Sequence, residues 1–343
     1  MSSEPTTGQT GQTGQTEQPW LDANGKPMRR LELHLTYTCP ERCLFCSEEH
    51  RMQAYKRFPV TWGRVARVLR EQASRGVTNV HFTGGEPTIH KRFVAILALA
   101  KKLRMRTSVG TIGTMLARPE FSQQALPLLD EALYSLHGPD AETHDAMAGR
   151  AGSFEQVTRA IALGAAYARA NTPPGRRDVH GVFVNTVITR RNVEKLPQTA
   201  ALADRLGAKL IVVSNLTPEG SGLDTYADLA VSLEDLARIL PTVPAAAPNA
   251  TLRFFGTPMC VLGRHWALSN DLHWDPRVTV EWQTRPGVVA FDGIYSWAPD
   301  RKRVHADACQ RCSRQTLCAG VFYRYPELWP VDALRPFDEG DPA

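Results

Sequence analysis

Three cysteines, Cys39, Cys43 and Cys46, fall within eight residues of the stretch YTCPERCLFCSEEH. Three thiolates are one short of the four protein ligands that close a structural zinc site. Zinc completed by His34, His50 or a distant residue is one reading. Iron–sulfur clusters also take cysteine ligands, ordinarily one per iron. A four-iron cluster on three cysteines keeps one iron open to a substrate or cofactor.

Four more cysteines lie late, at Cys260, Cys309, Cys312 and Cys318, so a group of three and a group of four use all seven. Together the late four can close a tetrahedral zinc site or a four-iron site, and their spacing does not choose between them. The N-terminus lacks a basic segment followed by an apolar one, so no secretory signal is read there. No apolar run approaches the roughly 20 residues of a membrane span. A cytoplasmic protein is expected, and cysteines in that setting argue for metal or catalysis rather than disulfides. The chain is 43% hydrophobic and 22% charged, the profile of a soluble globular protein. Its net charge of +5 is spread out, with small knots at Lys101-Lys102, Arg190-Arg191 and Arg301-Lys302-Arg303. These read as solvated surface; a nucleic-acid footprint would be denser.

The elements that must position the cysteines alternate between strand and helix. Strands are expected at 31–38, 77–83, 105–113, 131–138, 179–189 and 208–215, where β-branched and alternating apolar residues concentrate. Helices are expected between them. Thr61 is placed as the cap of the first, with Val65, Val68, Leu69 and Ala73 on one face and Gly76 as its stop. Others cover 93–103, 121–130 (interrupted by Pro127), the run FEQVTRAIALGAAYARA capped by Ser153, 192–207 and 232–240. Six strands with intervening helices require parallel βαβ units, in an α/β fold that is either an open sheet or a partial barrel. In both, the reactive site lies at the carboxyl ends of the strands, and the three-cysteine loop directly follows the first strand.

Residues 1–19, with a repeat of Gly, Gln and Thr, are expected to be a disordered tail. The core spans 20–240. The Pro- and Ala-rich stretch 241–250 is read as a linker to a C-terminal region, 251–343. That region has little helical periodicity and would depend on a metal for order. Its tryptophans, Trp266, Trp274, Trp282, Trp297 and Trp329, are expected to pack this small lobe, and His265, His273 and His305 to be exposed.

The pattern Cys39-x3-Cys43-x2-Cys46, with the aromatic Phe45 before the last cysteine, resembles the signature of the radical S-adenosylmethionine (radical SAM) superfamily. The second strand ends in Thr83-Gly84-Gly85-Glu86-Pro87, and its GGEP is similar to the second hallmark of that family. The resemblance covers roughly residues 30–240. It implies a partial (β/α)6 TIM-like barrel, with a [4Fe-4S] cluster on Cys39, Cys43 and Cys46 whose open iron binds S-adenosylmethionine (SAM). It also implies reductive cleavage to a 5′-deoxyadenosyl radical that abstracts hydrogen from a substrate, and a reductant such as flavodoxin or ferredoxin.

Family positions transfer one at a time. Gly84 and Gly85 bring backbone close to a ligand, Glu86 stands at the position next to the methionine ammonium, and Pro87 completes the turn. Phe45 lies near the adenine. Thr111 occupies the third-strand turn, where Ile112 replaces the asparagine common in relatives. Ser135 matches a fourth-strand serine that contacts SAM, and Asn185 is placed to reach the SAM carboxylate or ribose, or to be a satisfied core amide. His137 is a candidate acid or base or, alternatively, a surface histidine. CQRCSRQTLCAG resembles part of the auxiliary-cluster pattern called SPASM, or its shortened form Twitch; Phe322 stands where a further cysteine is usual. One auxiliary [4Fe-4S] cluster on Cys260, Cys309, Cys312 and Cys318 is therefore expected. The substrate is a small metabolite or a ribosomally made peptide. No leader-binding domain fits in the roughly 30 residues before the first strand, which mildly favours a small molecule. The alternative is a zinc-stabilised α/β binding protein, for RNA for example, without radical chemistry.

Overall fold

The structure, a computed structural model, describes residues 18–19, 21, 25–55, 60–273, 277–282, 289–295, 302–332, 334–338 and 340; side chains of 277–282 and 289–295 are not described. Most of the expected tail therefore lies outside the described residues, as do Trp274, Trp297 and the side chain of Trp282.

Seven parallel strands form the body: β1 (Arg30–Thr36), β2 (Asn79–Gly84), β3 (Arg106–Thr111), β4 (Glu131–Ser135), β5 (Gly181–Val187), β6 (Leu210–Ser214) and β7 (Thr251–Phe255). Each pairs with its neighbours in sequence. Beyond β1 the sheet continues through β8 (Arg277–Trp282), parallel to β1, and β9 (Val289–Tyr295), antiparallel to β8. Helices α1 (Glu49–Tyr55), α2 (Trp62–Ser74), α3 (Phe93–Lys102), α4 (Pro119–Ala125), α5 (Ala141–Ala148), α6 (Ser153–Asn171) and α7 (Leu196–Arg205) lie in the connections.

Strand alternation separates two faces. Leu31, Leu33, Phe82, Val109, Ala132, Val184, Ile211, Leu252 and Phe254 are buried in the main core, together with apolar residues of the helices. The intervening residues line one cavity of about 840 Å³ that touches every parallel strand, from Arg30 on β1 round to Arg253 on β7. A cavity lined by seven consecutive strands requires a sheet that wraps around it, the open form of a barrel.

The seventh strand corrects the expected six. The segment 241–250 is a structured crossover: turns at Leu240–Thr242 and Val243–Ala246 bury Val243 and Ala247 before β7. Small apolar residues pack there, so Pro and Ala mark a tight connection rather than a free linker. Thr61 precedes α2 in extended conformation, but its side chain makes no capping hydrogen bond. Ser153 is not the cap of α6; Gly152, at φ +77°, takes that position and Ser153 begins the helix. The described part of the C-terminal region packs on the body through Val321, Tyr325 and Leu334. Within it the buried Arg303 guanidinium meets Asp271 at 3.2 Å and donates to the Gly320 carbonyl.

Candidate functional site

The cysteine loop and the GGEP turn are one unit. The Gly85 amide donates to the Thr36 carbonyl at 2.7 Å and the Glu86 amide to the Thr38 carbonyl at 2.9 Å. A Cβ on Gly84, which sits at φ +112°, would fall 2.4 Å from the Thr36 oxygen, and one on Gly85 would fall 2.3 Å from the Thr38 oxygen. Glycine is thus required by the chain's own approach. The loop's other side rests on α5: Arg42 N donates to Ala148 O at 2.9 Å and Leu44 N to Met147 O at 3.2 Å. Between the cysteines, the buried Glu41 carboxylate accepts from Ser153 Oγ, and from Cys43 Sγ at 3.4 Å. Burial raises its pKa to about 7, against the hydrogen bonds from Ser153 and Cys43. Sequence reasoning missed Glu41 because its partner lies 112 residues away.

Cys39, Cys43 and Cys46 line a pocket of about 270 Å³. Phe45, Gly84, Gly85, Ser135, His137 and Asn185 line it too. Glu86, Pro87 and Thr111 are buried behind this wall. Glu86 Oε1 accepts from Thr88 N at 3.0 Å, from Thr111 Oγ1 at 2.8 Å and from Thr88 Oγ1, and Oε2 accepts from Ile112 N at 2.8 Å. Ile112 keeps a polar role through its amide, and the residue also lines the pocket.

Every thiol in the chain is free of disulfides. Burial pushes Cys39 up to about 12, Cys46 to about 11 and Cys43 well above its ordinary value. Such thiols hold their protons unless a metal displaces them. The late four, Cys260, Cys309, Cys312 and Cys318, line a separate pocket of only about 20 Å³ with Met259, Leu334 and Phe337. Cys260, pushed up to about 11 by burial, also feels the other three thiols. Among the described residues no three His, Cys, Asp or Glu groups are arranged to hold a single metal ion. Both thiol sets suit a polynuclear iron–sulfur group, which spreads its ligands across its own width. The first opens onto space for a further ligand, and the second surrounds only a small gap.

Around the second set, Arg314 is held between the rings of Trp266 and Phe337, at 4.1 and 3.9 Å. Trp329 packs against Tyr325 and beneath Arg190. His273 and His305 are exposed and His265 is half-buried.

His137 is not a surface residue; it is 2% exposed. Its Nδ1 accepts the Val187 amide at 3.2 Å, which leaves the ring proton on Nε2. The Phe45 ring meets it edge-on at 4.6 Å and His144 stacks on it at 5.7 Å. Burial, then the neighbouring His144, holds its pKa well below the usual range, and burial lowers His144 to about 4. Depressed histidines contribute stability that is fully present above 6.5 and lost as pH falls toward their folded values. For His144 the loss should reach roughly 3 kcal/mol by about pH 4. Thermal melts across this range should show the loss in the wild type and a shallower one in His144→Phe. Equal slopes would overturn the assignment.

An open parallel barrel with three thiols at its strand ends, facing a ligand-sized pocket, defines the class to which the comparisons point. Residues 33–175 match the Radical SAM superfamily. The PqqA peptide cyclase of Xanthomonas campestris pv. campestris (strain B100) is 33% identical over 214 residues, 62% of this chain and 54% of that protein. Mycofactocin maturase MftC of Mycobacterium tuberculosis is 32% identical over 201 residues, 58% of this chain and 47% of that one. The chain thus spans about half the length of the curated relatives it matches. Among solved structures, Streptococcus suis SuiB bound to precursor peptide SuiA superposes with a TM-score of 0.59 at 15% identity, covering 91% of this chain and 75% of SuiB. The anSMEcpe structure with bound AdoMet also gives 0.59, at 16% identity, covering 91% and 93%. These likenesses show the fold, a partial barrel. Over residues 33–175 the chain is similar to the radical SAM superfamily.

Proposed function

We propose that the chain is a radical SAM enzyme that modifies a peptide. One observation carries the reading: three half-buried thiols open onto a pocket that shares Ser47, Asn185, Ser214 and Phe255 with the barrel lumen. When bound, a [4Fe-4S] cluster and SAM supply an electron and a 5′-deoxyadenosyl radical able to remove hydrogen from a substrate. The chain's part is to bind, orient and exclude water. Cys39, Cys43 and Cys46 hold the cluster. Phe45, Gly84, Gly85, Ser135 and Asn185 form the wall against SAM. Glu86, Pro87 and Thr111 serve that ligand from behind, by fixing the turns at the ends of β2 and β3. His137 offers a neutral Nε2–H donor at the pocket rather than a protonated acid, because its Nδ1 is committed to Val187.

The late four cysteines are assigned to one auxiliary [4Fe-4S] cluster, in a region 251–343 that begins with the barrel's own seventh strand. The names of the cyclase and of the SuiB complex support a peptide substrate over a small metabolite. A flavodoxin- or ferredoxin-type reductant and a cytoplasmic setting complete the reading. Among the described residues no helix is long and apolar enough to cross a membrane.

The test is anaerobic reconstitution. About eight irons per chain are expected, and slow formation of 5′-deoxyadenosine with dithionite. Changing all three early cysteines to alanine should leave about four irons, and Cys43→Ala alone should abolish SAM cleavage. Zinc without sulfide, or cleavage surviving Cys43→Ala, would sink the proposal.

A further inference from the structure

We infer that Arg253 is an anion anchor in the barrel lumen and takes a carboxylate of the substrate. The inference rests on the functional reading just given, which makes the lumen the substrate cavity. Parallel register places the residue. Ser135 pairs with Asn185, Asn185 with Val212, and Val212 with Arg253. These four form one rung, and strand alternation turns them to the same side of the sheet. Ser135 and Asn185 already line the pocket of the three cysteines. Arg253 is thus level with the proposed SAM wall, two strands from Asn185, on the lumen that both cavities share.

The charge balance supplies the second argument. Lumen neighbours are compensated: Glu131 meets Arg106 at 2.6 Å and Arg177 at 3.5 Å, and Lys209 meets Asp178 at 3.6 Å. Among the described residues Arg253 has no carboxylate partner. Its one hydrogen bond there is from Nη1 to the carbonyl of its neighbour Leu252 at 3.0 Å. Burial holds its guanidinium below the ordinary value, and its charge also depresses His273, where desolvation is the larger cause. A partly desolvated cation without a counter-charge is unfavourable. Its remaining N–H donors present a planar fork that matches a carboxylate. A peptide or amino acid brings that group to the site. SAM also carries one, so the two sources must be separated.

The experiment uses the full chain and arginine modification by phenylglyoxal, followed by peptide mass spectrometry. Succinate is the probe and succinamide its uncharged counterpart. At saturating probe, succinate should slow modification of Arg253 by about threefold or more relative to succinamide, and leave the exposed Arg264 unaffected. Equal rates would overturn the anion site. SAM affinity of the reconstituted Arg253→Met variant separates the sources. Affinity within about twofold of wild type supports a substrate carboxylate. A loss of about tenfold or more would assign the anion to SAM and overturn the proposal. Protection is measured on the unaltered, reconstituted chain without SAM or reductant. A failure of SAM cleavage would therefore refute the functional reading and leave the anion site separately measured.

Discussion

Gly85→Ala is expected to remove about four of the roughly eight irons of the reconstituted chain and to end 5′-deoxyadenosine formation, although it touches no cysteine. The added Cβ would lie 2.3 Å from the Thr38 oxygen, 2.6 Å from its carbonyl carbon and 2.9 Å from its nitrogen. All three are backbone atoms and none can rotate away, so the segment from Thr36 to Cys39 must lift. Lifting breaks the hydrogen bonds from Gly85 N to Thr36 O and from Glu86 N to Thr38 O. The combined loss should be about 3 kcal/mol or more. Displacement of Cys39 then undoes the three-thiol set. Gly63→Ala is the control: in α2, where nothing lies within 4 Å, alanine should be neutral or slightly stabilising. A Gly85→Ala protein with full iron and normal SAM cleavage would show that the loop does not need this contact.

That contact also shows how much of the site the sequence could carry. The two motifs were legible because each is local: cysteine spacing within one loop, two glycines within one turn. Their mutual dependence was not, since it arises only when β1 and β2 pair. Glu41 looked like an ordinary charged residue of the loop until the fold placed Ser153 against it. His137 was ambiguous for a related reason, because burial at the end of β4 depends on His144 and Phe45 closing over it. Strands with β-branched runs were readable from periodicity. β7 was missed because TLRFF is short and follows a Pro- and Ala-rich stretch that mimics a linker. Arg253 was missed with it, since its place on the same rung as Asn185 exists only through the strand register.

The second large effect concerns Glu86. Glu86→Ala is expected to destabilise the chain by about 3–5 kcal/mol and to lose iron and SAM affinity together. The carboxylate joins two segments: Thr88 in the turn after β2, and the end of β3 through Thr111 and the Ile112 amide that follows it. Alanine leaves the Thr88 and Ile112 amides without their acceptor, each costing about 1–3 kcal/mol, and a cavity besides. Glu86→Gln separates this role from direct ligand contact. Its carbonyl can keep the three bonds now made by Oε1, while its NH2 faces the Ile112 amide with donor against donor. A loss of about 1–3 kcal/mol is expected, with iron retained. Burial pushes the Glu86 carboxyl up against four hydrogen bonds that favour its charged form. The raised carboxyl is most favourable below its unfolded value of 4.5 and costs stability as pH rises through its folded value. Glutamine carries no such titration, so the difference in melting temperature between wild type and Glu86→Gln should shrink as pH rises from about 4 to about 8. SAM affinity should follow stability in this series, because the pocket wall is what the carboxylate holds in place. A Glu86→Gln protein of undiminished stability that had lost SAM binding would instead put the carboxylate in direct contact with the ligand.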